Sequence, residues 1–222
     1  MNNISIDSLS ESEKESLRLI KKGFRQSMNA DLSNSMRAHG FDYNIIFGVP
    51  APRIKFIASG FEPNMNLAMY LWNENVRESK VISTYLFPIN ELNIDNVREL
   101  ISEVKYTEIA DFLSRNVLVN IDSVKDIIIE NISSDNHLKR YIGMRLFTIL
   151  LQRNEIEVID FDLVLNEIKN NLLSNVSYLR SMSVNIADLL FERNDQLLDK
   201  AKQYFSTFKD EEILRSFNEL LY

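Results

Sequence analysis

The 134 residues after Pro88 contain no further proline and a single glycine, Gly143. Few folds survive that restriction. A sheet protein spends Gly and Pro on its many turns, whereas a helical array needs only short polar breaks. Apolar residues recur at helical spacing through this stretch. The periodicity predicts helices over 95–104, 107–118, 122–132, 135–152, 160–173, 177–193, 195–205 and 211–221. Asp95, Thr107, Asp122, Asp135, Asp160 and Asp195 stand at or near these helix starts, where a carboxylate or hydroxyl can satisfy free backbone N–H groups. The breaks between helices are short enough to require antiparallel neighbours.

The first 88 residues carry the same signals with more punctuation. Ser10-x-x-Glu13 is a capping box. Leu17, Ile20, Phe24 and Met28 then share one helical face. A short helix over 31–38 should stop at Gly40, and 41–51 is the least regular segment. Pro52 can open a helix over 53–59, Pro63 another through Trp72, and a helix over 76–87 must end before Pro88. Trp72 reads as a core residue.

Three segments share a pattern: a polar break, an apolar residue followed directly by a base, then a long helix. They centre on Val76-Arg77, Leu138-Lys139 and Leu179-Arg180. The 41-residue offset between the last two fits the helix-pair period of HEAT-type arrays, about 40–47 residues. No linker or low-complexity stretch divides the chain. The expected fold is therefore all-α: one domain, 1–222, built as an α-α superhelix of HEAT-like antiparallel helix pairs.

Composition narrows the chemistry. Cysteine is absent and only two histidines are present, His39 and His137, so neither a thiolate nor a histidine metal site is expected. There is no apolar run of roughly 18 residues to span a membrane. The start, Met1-Asn2-Asn3-Ile4-Ser5, lacks the basic and apolar regions of a signal peptide, so a cytoplasmic location is expected. No Gly-rich phosphate loop, nucleophile elbow or zinc helix occurs, and no cofactor is expected. The net charge of −7 argues against a surface that is basic throughout. Any nucleic-acid contact must then come from a local patch. Residues 135–153 form such a patch, with Lys139, Arg140, Arg145 and Arg153 against Asp135.

Sequence motifs add a resemblance. Phe47-Gly48-Val49-Pro50-Ala51-Pro52-Arg53, then Leu71-Trp72 with Arg77-Glu78, then Tyr106-Thr107-Glu108-Ile109-Ala110-Asp111, then His137-Leu138-Lys139-Arg140, then Leu179-Arg180 through Asn185 follow one another in order. This series resembles the AlkD-like DNA alkylation repair family, whose members are HEAT-like repeat glycosylases that release cationic alkylated purines from duplex DNA. The resemblance implies Asp111 as the catalytic carboxylate. It implies Arg140, with Lys139, Arg180 and Arg77, as contacts to DNA phosphates. A carboxylate suits that reaction because positive character develops on the sugar as the base departs. The family's flanking tryptophans would line the pocket where Tyr106, Thr107 and Asn185 stand here. Their replacement implies duplex-DNA binding with excision weakened, altered or absent. A non-enzymatic scaffold that binds a protein partner on a concave face stays open as the alternative.

Overall fold

The computed structural model describes residues 4–155, 161–172, 174–193, 195–206 and 215. Twelve α-helices are present among them, with three short 3-10 turns and no strand. Of the helix expected over 211–221 only residue 215 is described, and the rest lies outside the described residues. The chain divides into two compact units, Met1–Ile121 and Asp122–Tyr222.

The first unit contains α1 (Glu11–Gln26), α2 (Ala30–Ala38), α3 (Ala51–Ala58), α4 (Met65–Asn73), α5 (Arg77–Leu86), α6 (Ile94–Ser102) and α7 (Thr107–Asn116). The capping box forms as expected: Glu13 N–H donates to Ser10 Oγ at 3.3 Å and Ser10 N–H donates to Glu13 Oε2 at 2.7 Å. The short break between α4 and α5 turns them into an antiparallel hairpin. Helix α5 also packs on α3 and α7, and α1 lies against α3 and α4. Trp72, Ile82 and Leu100 are fully buried in this unit's core. Burying an aliphatic side chain of this size contributes about 1.5–3 kcal/mol. The irregular segment after α2 runs beside the start of α5, where Arg77 N–H donates to Ile45 C=O at 3.2 Å.

The second unit contains α8 (Val124–Ile132), α9 (His137–Arg153), α10 (Phe161–Leu172), α11 (Ser177–Arg193) and α12 (Asp195–Ser206). Helices α8 and α9 form one hairpin, α10 and α11 another, and α9 packs on α11. That position explains the apolar character of α9, whose residues Tyr141–Met144 and Leu146–Leu151 are all buried. A Cβ at Gly143 would stand 2.5 Å from the Ile132 nitrogen, so glycine lets α9 approach the end of α8. These are the HEAT-like pairs the sequence predicts.

Two local readings change. Side-chain caps come from asparagines rather than from the aspartates beside them. Asn64, Asn93 and Asn136 accept from the free N–H groups of α4, α6 and α9, while Asp95 sits in a first turn. Pro63 accordingly precedes the cap instead of opening α4. The repeat register also shifts. Helices α9 and α11 start at His137 and Ser177, which pairs Arg140 with Arg180 as the fourth residue of each.

Candidate functional site

Arg77 is the first residue of α5 and is 2% exposed. Its Nη1 donates to the Val49 carbonyl at 2.7 Å and to Glu78 Oε1 at 3.1 Å. Its Nε and Nη2 both donate to the Glu108 carboxylate on α7. Burial alone would lower the Arg77 pKa, but the bonds and charges of Glu108 and Glu78 outweigh it and raise it. Glu78 is fully buried and accepts the backbone N–H groups of Phe47, Gly48 and Val49 at 3.0–3.2 Å. Gly48 is required at this turn: its φ is +71°, and a Cβ would fall 2.1 Å from the Asn29 carbonyl oxygen. Three of the sequence motifs thus meet in one buried ion network. The phosphate contact expected of Arg77 is corrected on this geometry, because its guanidinium is committed to protein partners and has almost no accessible surface.

Tyr106 caps no helix with its side chain but stands just before α7. Its ring stacks on Phe41, with centroids 4.7 Å apart and planes at 19°, and lies 4.9 Å from the Tyr43 centroid. Its hydroxyl donates to the Asp42 carboxylate and accepts the Asp42 N–H at 2.9 Å. Burial and the Asp42 bond raise its pKa. Tyr106 also lines a polar cleft of about 470 Å³ with Asp42, Lys80 and Glu103. Lys80 is held there by the Trp72 carbonyl and stands 4.7 Å over the Trp72 ring. Burial lowers its pKa, with Glu103 opposing and Lys105 adding. Trp72 itself is core, as expected, with its indole N–H donating to Glu103.

Asp111 lies on α7 within the same unit, with its side chain 28% exposed and a carboxylate oxygen 3.5 Å from Arg115 Nη2. Thr107 is the first residue of α7 and is half-buried. Neither residue lines the cleft beside Tyr106.

The remaining sequence-picked residues belong to the second unit. Arg140 is half-buried near the start of α9. Its Nε donates to the Ser134 carbonyl at 2.9 Å, and its Nη1 donates to Asn171 Oδ1 at 3.2 Å. Glu167 stands 4.0 Å from Nε and balances its charge. Asn171 is fully buried and is itself fixed by donating to the Glu167 carbonyl at 2.8 Å. Among the described residues Nη2 has no protein partner. Lys139 beside it is half-buried, and Arg180 and Asn185 on α11 are exposed. The rings of Tyr141 and Tyr178 meet edge to face at 5.5 Å and lock α9 to α11 next to these bases.

Sequence reasoning missed Glu108, Glu167 and Asn171. Each lies 31 or fewer residues from the arginine it serves, one helix pair further on. A buried polar residue on an apolar helix face was the available signal for Asn171 and Glu167. Among the described residues no group of three or more His, Asp or Glu side chains could hold a metal ion. None of their helices is long and apolar enough to cross a membrane.

Comparison with known proteins agrees with these helix pairs. A solved structure described as a new family of proteins related to the HEAT-like repeat DNA glycosylases, with affinity for branched DNA structures, superposes with a TM-score of 0.73. It is 15% identical and covers 90% of this chain and 82% of its own. No curated protein matches the sequence. The family model for DNA alkylation repair enzymes matches residues 20–181, spanning every motif quoted above except the end of the Leu179–Asn185 segment. The chain therefore belongs to the DNA alkylation repair enzyme family.

Proposed function

We propose that this protein binds duplex DNA through the bases at the starts of α9 and α11, and that its release of alkylated purines is weak or absent. The observation that carries the binding is Arg140. Ser134, Asn171 and Glu167 orient its guanidinium, while Nη2 has no partner among the described residues. A pre-oriented arginine loses little entropy on meeting a phosphate. Arg180 repeats the position on α11, and Lys139 adds a neighbouring charge. Family membership supports the reading, as does the likeness to proteins described with affinity for branched DNA. In this reading 1–222 acts as one domain.

The weak chemistry follows from the pocket residues. Thr107 and Asn185 offer no aromatic face, and Tyr106 is committed to Phe41, Tyr43 and Asp42. A carboxylate left open to water stabilises a developing cation far less than one in a dry site. The test is base release from methylated duplex DNA by the wild type and by Asp111→Asn. Weak or no release by both, with duplex binding retained, is expected. Robust release abolished by the substitution would show a competent glycosylase. Loss of both release and binding would favour a protein scaffold, the reading to which the net charge of −7 lends support.

A further inference from the structure

One buried carboxylate in the second unit is left without a hydrogen bond. Glu167 on α10 is buried, and its Oε2 has no hydrogen-bond partner among the described residues. Buried acceptors are nearly always satisfied, and a charged one left bare is costly, so this oxygen calls for a physical reason. Arg140 Nε stands 4.0 Å from it, too far for a hydrogen bond. The single Nε–H is spent on the Ser134 carbonyl at 2.9 Å instead.

The second holder of Arg140 comes from the same helix as Glu167. Asn171 follows four residues later on α10 and is fully buried. Its amide donates to the Glu167 carbonyl at 2.8 Å and to Met144 Sδ at 3.4 Å. Both N–H bonds are thereby used, so Oδ1 is the atom that faces Arg140, where it accepts from Nη1 at 3.2 Å. Two neutral acceptors therefore fix the guanidinium by hydrogen bonds, and the carboxylate does not. Neutral holders leave the full positive charge available to an incoming anion, whereas a carboxylate 4.0 Å away subtracts from it. Closing that gap by about 1 Å would give Glu167 its hydrogen bond and turn Arg140 from the Ser134 carbonyl. Arg140 thus has two kinds of acceptor within reach, one neutral and one charged.

Given the duplex contact proposed for Arg140, we infer that Glu167 is a built-in competitor of the DNA phosphate, which holds duplex affinity below what the pre-oriented guanidinium alone would give. Without DNA, Arg140 can turn toward Glu167, and a phosphate at Nη2 must overcome that attraction. A plain counter-ion that keeps Arg140 in place predicts the opposite sign: its loss would loosen the guanidinium and weaken binding.

The experiment is fluorescence anisotropy of labelled duplex DNA with the full chain, at low salt and at about 0.1 M salt, where charges more than about 10 Å apart are largely screened. Circular dichroism checks the fold of every variant. Glu167→Gln keeps the shape of the side chain and removes its charge. We expect it to tighten duplex binding by about three- to tenfold. Glu155→Gln removes the same charge at an exposed position after α9, about 20 Å along the helix from Arg140, and should change affinity at 0.1 M salt by less than about twofold. In an Arg140→Gln background Glu167→Gln should have no further effect. If Arg140→Gln does not fold, the comparison of Glu167→Gln with Glu155→Gln decides alone. Unchanged or weaker binding by Glu167→Gln would overturn the inference and leave the duplex contact standing, as would equal tightening by Glu155→Gln or in the absence of Arg140. Binding by Glu167→Gln with none by the wild type would support the competitor while overturning duplex binding by the natural chain. Binding by neither at low salt would overturn both.

Discussion

Two arginines near helix starts, Arg77 on α5 and Arg140 on α9, meet opposite fates. Both are cations where the helix dipole disfavours them, so both need acids nearby. Arg77 has two carboxylates, a carbonyl and 2% exposure, and it binds three chain segments into one unit. Arg140 has one buried carboxylate at 4.0 Å, and among the described residues its Nη2 has no partner. The same residue type at similar places is therefore a structural tie in one unit and, in the function proposed above, the contact to an external anion in the other. What separates them is the count of acids at hand: Arg77 has Glu78 beside it on α5 and Glu108 from α7, whereas Arg140 has Glu167 from α10 alone.

The largest expected effect is on the closed side of this comparison. Arg77→Ala strands Glu78 and Glu108 and should cost about 3–5 kcal/mol of stability in urea unfolding. A loss below about 1 kcal/mol would mean the network is not what holds α5 to α7. Gly48→Ala tests the turn that Glu78 caps. The contact with the Asn29 carbonyl and the positive φ predict about 1–3 kcal/mol of destabilisation, read by the same unfolding measurement.

The open side should respond in binding more than in folding. Arg140→Lys keeps the charge but loses the planar fork, so duplex affinity should fall by about tenfold while the chain stays folded. Equal affinity would mean that orientation of the guanidinium is irrelevant.

A smaller effect concerns pH. The folded-state pKa of Lys80 is depressed by burial, so across the window from that value up to the ordinary lysine value the unfolded chain binds the extra proton. Stability should therefore rise with pH through this alkaline window, and Lys80→Met should remove the rise. A flat wild-type profile there would show that Lys80 is solvated when folded.

How much of this was legible in the sequence differs between backbone and side chains. Helix positions followed from apolar spacing and from the dearth of Gly and Pro, because those are local constraints. Ser10 and Glu13 could be read as a capping box for the same reason. Long-range partners were not legible. Tyr106 offers the same letter whether its ring faces a ligand or stacks on Phe41, and only packing across 64 residues decides. Likewise Arg77 was assigned a phosphate because Glu108 lies 31 residues away, one helix pair further on. Asn caps were missed because Asp and Asn accept equally well and the nearby aspartates were more conspicuous.

Duplex binding against salt tests the central claim most directly. The titration compares wild type with Lys139→Gln plus Arg180→Ala, leaving Arg140 and its buried partners in place. The account predicts wild-type binding at low salt and, on a plot of log affinity against log salt concentration, a slope that becomes shallower by about 2 in the variant, near 0.9 for each lost phosphate contact. Absence of duplex binding at low salt, or a slope unchanged by the two substitutions, would contradict it.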